Sequence, residues 1–95
     1  MPRIDKSPTA LRDLDEIWFH IAQDHVVAAD RLIDKIEEKC RQYSRQPLMG
    51  GSCPELADEL RCFHVGNYVV YFFPLRDGIE VVRVVHGARN VERLF

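Results

Sequence analysis

The chain has 95 residues, of which 46% are hydrophobic and 29% charged, with a formal net charge of −2 at pH 7. This length predicts one domain, residues 1–95, with a single core between two packed layers. The charge excludes a protein that binds nucleic acid through overall basicity. No apolar run approaches the ~20 residues that span a bilayer, and the N-terminus lacks an apolar signal-peptide core. We therefore expect a cytoplasmic protein with no membrane partner.

The N-terminal third predicts a strand followed by a helix. Residues 2–6 are the strand, and Ser7-Pro8 then marks a helix start, because serine caps free N–H groups and proline loses no hydrogen bond there. Apolar residues behind it recur every three or four positions and so share one helical face; they are Leu11, Leu14, Ile17, Trp18, Ile21 and Ala22. We assign Leu14 and Trp18 to the core, whereas Phe19 falls on the opposite face.

A second amphipathic helix follows after Asp24-His25. Its apolar stripe consists of Ala29, Leu32, Ile33, Ile36, Cys40 and Tyr43. The short link predicts an antiparallel helical hairpin, with Ile36 in the core. Residues 44–58 contain two prolines and two glycines and predict a loop with room for one helical turn.

From Leu60 onward the pattern is that of strands. The runs LRCFHV and YVVYFF flank Gly66-Asn67, a two-residue hairpin turn, and a turn at residues 76–78 leads into IEVVRVVH. Residues 88–95 predict a short helix or tail. The chain is therefore predicted to be α+β, with an N-terminal strand and a helical hairpin packed on a C-terminal three-stranded antiparallel meander.

Both faces of this sheet are largely apolar. The hairpin turn places Val65 opposite Tyr68 and Phe63 opposite Val70, so one face carries Arg61, Phe63, Val65, Tyr68, Val70 and Phe72. The other carries Leu60, Cys62, His64, Val69, Tyr71 and Phe73. Two helices cover only one face, which leaves the second either to residues 44–58 and 88–95 or to another chain.

Motifs for cofactors and metals are missing from the sequence. Gly50-Gly51 lacks the spacing and the lysine of a phosphate-binding loop, and the histidines share no metal-ligand spacing. The three cysteines follow no CxxC pattern, which indicates free thiols in a reducing compartment. We expect no cofactor and no metal.

The segment from Arg83 to Asn90 gathers cationic residues at a strand end. It contains Arg83, His86 and Arg89, which suit an anionic ligand or an acidic protein surface because arginine forms planar bidentate bonds. The alternative is that Arg83 pairs with an Asp or Glu inside the fold.

Four segments in order resemble the ParE toxins of bacterial toxin–antitoxin pairs: SPTALRDLDEIWFHIAQD, AADRLIDKIEEKC, QPLMGG.CPELADELRCFHVGNYVVYFF and GIEVVRVVHGARNVERLF. The combination of LR.F.VG.Y with RV.HG.R is the specific part. The resemblance implies the RelE/ParE fold and a type II toxin masked by the C-terminal segment of a ParD-like antitoxin, in a hetero-oligomer built on an antitoxin dimer. It implies DNA gyrase as the target of a ParE-type toxin, with no sequence-specific DNA binding by this chain, whereas RelE-type relatives cleave mRNA on the ribosome.

The two branches differ in chemistry. RNA cleavage needs acid–base groups and cations that stabilise the charged transition state. Arg61 and Arg89 match basic positions of the RelE set, but Tyr68 stands where an arginine is expected and Phe95 where a tyrosine is expected. Phenylalanine has no proton to transfer. The resemblance thus implies a toxin that acts by binding rather than catalysis.

Two alternatives stay open. One is a ribosome-dependent mRNA endonuclease that uses Arg61, His86 and Arg89, and the other is a module that only binds its antitoxin. The predicted target-binding residues are Arg83, His86, Arg89, Arg93 and Phe95. The predicted antitoxin-binding residues are Phe19 and, on an open sheet face, Phe63, Val70 and Phe72.

Overall fold

A computed structural model describes residues 2–89 and 91–95. Two helices, α1 (Pro8–Ala22) and α2 (Val26–Arg45), pack on a sheet of five strands. The strands are β1 (Arg3–Lys6), β2 (Gly51–Ser52), β3 (Arg61–Val65), β4 (Tyr68–Leu75) and β5 (Gly78–His86), and 3₁₀ turns cover Pro47–Met49 and Val91–Leu94. The sheet order is β1-β5-β4-β3-β2, with β1 parallel to β5 and the other neighbours antiparallel. The predicted α+β architecture is confirmed, and the two-residue β2 is an addition that the sequence did not indicate.

Side-chain caps define where both helices begin. The Ser7 hydroxyl accepts a hydrogen bond from the Ala10 backbone N–H at 3.0 Å, with Pro8 in the first turn as predicted. His25 caps α2 in the same way, because its Nδ1 accepts from the Ala28 N–H at 3.0 Å. The residue that interrupts the apolar pattern therefore starts the second helix.

A glycine allows β1 to join the sheet. Gly78 pairs with Arg3, and a Cβ at Gly78 would lie 1.7 Å from the Arg3 carbonyl oxygen. The Arg3 backbone occupies the space where a side chain at position 78 would begin, so only glycine fits there. The first strand of the chain thus depends on the glycine that begins the last strand.

The main core lies between the helical hairpin and one face of the sheet. The predicted pairing of Phe63 with Val70 is confirmed, and both residues belong to this core. The Tyr43 ring of α2 stacks on Phe63 with centroids 4.4 Å apart and planes inclined by 6°. The predicted helical stripes supply the remaining contacts, through residues such as Leu14, Ile17, Ile36 and Cys40.

The prediction of an open sheet face at Phe63, Val70 and Phe72 is wrong. Their exposed fractions are 4%, 0% and 0%, because this is the face that the helices cover. Sequence periodicity defined the two faces of the sheet correctly, but it does not say on which face a helical hairpin packs.

The second sheet face is covered by the chain itself. Residues 53–60 and the C-terminal turn close over it and form a second core cluster, whose buried members are Cys53, Leu60, Val69, Tyr71 and Val85. Leu56 of the loop and Leu94 of the turn pack against this cluster. Of the two options that the sequence left open, coverage by the chain itself is therefore the one observed, through residues 53–58 of the predicted loop and residues 91–94 of the C-terminal turn.

Trp18 is only half-buried, although the sequence placed it in the core. Its indole N–H donates to the Asp30 carboxylate at 2.8 Å, which keeps one edge of the ring at the surface between the two helices. The assignments of Leu14 and Ile36 to the core are confirmed.

Candidate functional site

The free edge of β5 is occupied by polar side chains of α1. The parallel pairing with β1 ends at Val81, and beyond that point the outer backbone groups of β5 have no strand partner among residues 2–89 and 91–95. The Ser7 hydroxyl donates to the Val82 carbonyl at 3.0 Å, and the Asp13 carboxylate accepts from the Val84 N–H at 2.9 Å. Helix α1 thus takes over as the partner of β5 where β1 stops.

Arg83 is held inside this arrangement rather than presented to a target. Its Nε lies 2.8 Å from Asp13 Oδ2, and its second guanidinium nitrogen donates to Oδ1 at 3.0 Å. The side chains of Arg83 and Asp13 are 15% and 8% exposed. The prediction of Arg83 as a target-binding residue is therefore corrected, because both prongs of its guanidinium are committed to a buried carboxylate.

His86 and Arg89 line a shallow cleft where β5 ends against α1. The cleft has a volume of about 170 Å³, and Glu16, His20 and Tyr68 also contribute to its walls. His86 packs edge-on against the Tyr68 ring, with centroids 5.4 Å apart. Two of the predicted target-binding residues thus lie together at one exposed end of the sheet.

The ring orientation of His86 is fixed by the turn that follows it. Its Nδ1 accepts a hydrogen bond from the Ala88 N–H at 3.1 Å. A neutral His86 therefore carries its proton on Nε2. The cleft brings together imidazole, carboxylate, phenol and guanidinium groups, which can bind an anion and exchange protons with it.

The C-terminal turn carries the other predicted target residues. Arg93 is exposed, and Phe95 is 40% exposed with its ring centroid 5.2 Å from that of Tyr71. Phe95 therefore helps to close the second sheet face as well as contributing to the surface. Asn90, the last residue of the predicted basic segment, lies outside the described residues.

Arg61 lies apart from this cleft. It pairs with Phe72, whereas His86 pairs with Tyr68, four positions earlier in β4. Strand geometry puts the two backbone positions about 16 Å apart. The Arg61 guanidinium also donates to the carbonyl oxygens of Leu48 and Gly50, at 3.1 and 2.7 Å. The structure therefore does not bring together the predicted nuclease set of Arg61, His86 and Arg89.

Large apolar side chains are exposed at both ends of the helical hairpin. Phe19 is 66% exposed near the end of α1, in agreement with its predicted position on the outer face. Leu48 and Met49, in the 3₁₀ turn after α2, are 73% and 69% exposed, and the sequence pattern did not indicate them as a surface site. The only signal was an apolar pair in a loop, which is too common to be informative.

A groove runs beside Met49 along the last turns of α2. Its volume is about 400 Å³, and its lining residues are Lys39, Gln42, Tyr43, Arg45, Gln46 and Met49. These include two cations and no anion. The groove thus combines apolar surface with a positive edge.

Neither a metal cluster nor a membrane span is found in the described part of the chain. Within residues 2–89 and 91–95, no three His, Cys, Asp or Glu side chains are grouped so as to hold a metal ion. Over the same residues, no helix has the length and apolar character needed to cross a bilayer.

Comparison with known proteins identifies the family of this chain. Residues 4–91 match the family model described as "ParE toxin of type II toxin-antitoxin system, parDE". The chain belongs to the ParE toxin family. It is thus a ParE-type toxin of a type II toxin–antitoxin system, and the family resemblance seen in the sequence is confirmed.

A solved structure agrees with the ParE assignment at the level of the fold. The chain is similar to the "Chromosomal ParDE TA system from P. aeruginosa", with a TM-score of 0.73 and 18% identity, over 90% of this chain and 96% of that chain. At this identity the likeness concerns the fold alone. No curated protein matches this ParE-family chain significantly.

Proposed function

We propose that this ParE-type toxin inhibits DNA gyrase by binding it in the cytoplasm, without a catalytic step of its own. The observation that carries the proposal is the position of Arg61: its backbone lies about 16 Å from that of His86, and its guanidinium donates to two loop carbonyls. A ribonuclease needs its acid–base and cationic groups around one phosphate. Family membership supports the same reading.

The proposed gyrase-binding surface is the exposed end of β5 with the C-terminal turn. Once Arg83 is removed from the predicted set, His86, Arg89, Arg93 and Phe95 remain, and each is exposed. Arginine and aromatic side chains are the types that dominate the energetics of protein interfaces. Their positive charge suits an acidic surface of the target.

We further propose a ParD-like antitoxin as partner, in a hetero-oligomer built on an antitoxin dimer. The apolar ends of the hairpin, Phe19 on one side and Leu48 and Met49 on the other, are surfaces that such a partner would cover. The Trp18–Asp30 hydrogen bond places Phe19, the next residue of α1, beside Asp30 of α2. Arg45, where α2 ends, lies fifteen residues after Asp30. At the rise of an α-helix, the two apolar ends of the hairpin are therefore roughly 22 Å apart. One antitoxin segment of about fifteen helical residues, or about seven extended ones, would reach both.

Charge complementarity suggests the character of that segment. The groove between Met49 and α2 has Lys39 and Arg45 at its edge and no anion in its lining. An acidic segment with an apolar anchor therefore fits it.

One observation favours a second candidate function, mRNA cleavage on the ribosome. The cleft that holds His86 and Arg89 also contains Glu16 and His20, so acid–base groups lie near a cation even without Arg61. The two functions predict different products in the same cells.

Induction of the toxin in Escherichia coli, with and without the antitoxin encoded beside it, tests these proposals. Growth arrest with accumulated gyrase–DNA cleavage complexes and uncut mRNA is the expected result. Arrest with intact gyrase and cuts in translated mRNA would assign the function to the cleft instead. No arrest at all would indicate a module that only binds its antitoxin.

A further inference from the structure

Two of the three cysteines lie next to each other on the second sheet face. The Sγ atoms of Cys53 and Cys62 are 3.4 Å apart, and Cys53 donates to Cys62 in a weak S–H···S contact. Both thiols are free. The sequence spacing had given no reason to pair them.

The backbone sets up this contact. Gly51 pairs with Cys62, Ser52 with Arg61, and the Cys53 N–H donates to the Leu60 carbonyl at 2.8 Å. Cys53 and Cys62 are thus diagonal neighbours across two antiparallel segments, with side chains on the same face. A disulfide has an S–S distance of about 2.05 Å, so the sulfurs need to approach by about 1.4 Å, which side-chain rotation can supply.

We propose that Cys53 and Cys62 are a modification site, a dithiol that closes to an intrachain disulfide on exposure to a small-molecule disulfide. Cys62 is the entry point because it is half-buried, whereas Cys53 is buried. The Cys62 thiolate attacks one sulfur of the small disulfide and expels a small thiol, which leaves a mixed disulfide. Cys53, after losing its proton to solvent, attacks the Cys62 sulfur and expels the second small thiol.

The surroundings determine how the pair reacts. Burial, then the hydrogen bond with Cys53, raises the pKa of Cys62 to about 12. Little thiolate is present at neutral pH, so the exchange is slow.

The crosslink would fasten the segment that covers the second sheet face. Residues 53–60 pack on Tyr71 and Val85, and Leu94 of the C-terminal turn packs on the same cluster. The disulfide ties both ends of this segment together and so restricts its opening. Oxidation therefore stabilises the layer on which Phe95 rests.

The third cysteine is an internal control. Cys40 is fully buried in the helix-side core, across the sheet from the pair. Among the described residues, no other thiol is in contact with Cys40. Cys40 would reach another thiol only if the chain unfolded. A folded chain should therefore crosslink Cys53 to Cys62 and leave Cys40 reduced.

The test is incubation of the folded protein with oxidised glutathione, alkylation of the remaining thiols after denaturation, and tryptic mapping. Cleavage after Arg45, Arg61 and Arg76 puts Cys53 in peptide 46–61 and Cys62 in peptide 62–76. We expect these two peptides joined with the loss of two hydrogens, one alkyl group per chain in the mass of the intact protein, and a higher melting temperature that a reductant reverses. Cys53→Ser, or Cys62→Ser if the first variant does not fold, should show no such rise.

Three results would overturn the proposal. They are alkylation of both Cys53 and Cys62 after long oxidation, crosslinks that involve Cys40 as often as the pair, or disulfides mainly between molecules. A crosslink with no change in melting temperature and no slower proteolysis within residues 53–60 would contradict the stabilising role.

Discussion

Asp13 on α1 and Arg83 on β5 form a bidentate ion pair that is largely closed to solvent, with Nε–Oδ2 at 2.8 Å. The same carboxylate accepts from the backbone N–H of Val84 at 2.9 Å. One side chain therefore satisfies both a buried cation and a strand edge that β1 does not reach.

Asp13→Asn should lower the free energy of unfolding by about 3 kcal/mol, because it leaves the Arg83 charge buried without a counter-charge. Chemical denaturation of the two proteins measures the loss. The matched control is Asp77→Asn, which removes an exposed ion pair to Arg3 whose side chains are more than half exposed. That variant should change stability by about 0–1 kcal/mol, and equal losses in both variants would contradict this account of Asp13.

Arg61→Met should lower the stability of the fold and leave gyrase inhibition unchanged. It removes two charge-assisted hydrogen bonds to the loop carbonyls of Leu48 and Gly50 and should cost about 2 kcal/mol. At a temperature where the variant stays folded, gyrase inhibition should be close to that of the parent. Arg76→Met, at an exposed turn position, is the control and should be neutral in both measurements. Lost activity in a fully folded Arg61 variant would return Arg61 to a direct functional role.

The double variant His86→Ala/Arg89→Ala should weaken gyrase binding at least tenfold while leaving stability within about 0.5 kcal/mol, since both side chains are exposed. Binding to immobilised gyrase subunits, with thermal melting in parallel, separates the two effects. Arg12→Ala, exposed on α1, serves as the charge-matched control and should bind as the parent does. Unchanged affinity in the double variant would remove this end of the sheet from the target interface.

Gly78→Ala should destabilise the fold by about 3 kcal/mol or more, because the new methyl group meets the Arg3 backbone. Gly51→Ala is the control, since its added Cβ would have only ordinary contacts at 3.8 Å. Hydrogen exchange should show that the Gly78 variant loses protection first in β1. Protection of β1 as strong as in the parent would mean that the strand does not depend on Gly78.

Stability should fall as the pH rises above about 9. Burial raises the pKa of Cys40 to about 12, so the unfolded chain loses this thiol proton at a pH where the folded chain still holds it. Unfolding then releases a proton, and the free energy of unfolding declines by up to about 1.4 kcal/mol per pH unit between the two pKa values. Cys40→Ala should show a shallower decline over this range in pH-dependent denaturation. An identical slope would contradict the assignment to Cys40.

Local patterns predicted much of this molecule. The Ser7-Pro8 helix start, the apolar stripe of α2 and the register across Gly66-Asn67 follow from capping, helical period and turn geometry, and all three are observed. Long-range relationships were beyond such patterns. The face on which the hairpin packs, which buries Phe63 and Phe72, depends on the handedness of the connections between elements.

The candidate site shows the same limit. The cluster of His86 and Arg89 follows from their nearness in sequence, and the structure keeps them together. Arg83 is equally close to His86 in the sequence, but its side chain is bound by Asp13, seventy residues away in the chain. No local pattern indicates that contact. The separation of Arg61 from His86 depends on strand register over two neighbours, and the Cys53–Cys62 contact depends on a two-residue strand, β2, that carries no periodic signal.

The most direct test of the central claim is a cleavage assay with purified gyrase, supercoiled plasmid and the purified toxin, in the absence of ribosomes. The account predicts linear DNA covalently bound to gyrase, in an amount that rises with toxin concentration and falls with the His86→Ala/Arg89→Ala variant. Undiminished supercoiling with no cleavage complexes at saturating toxin, together with ribosome-dependent cuts in mRNA, would contradict it.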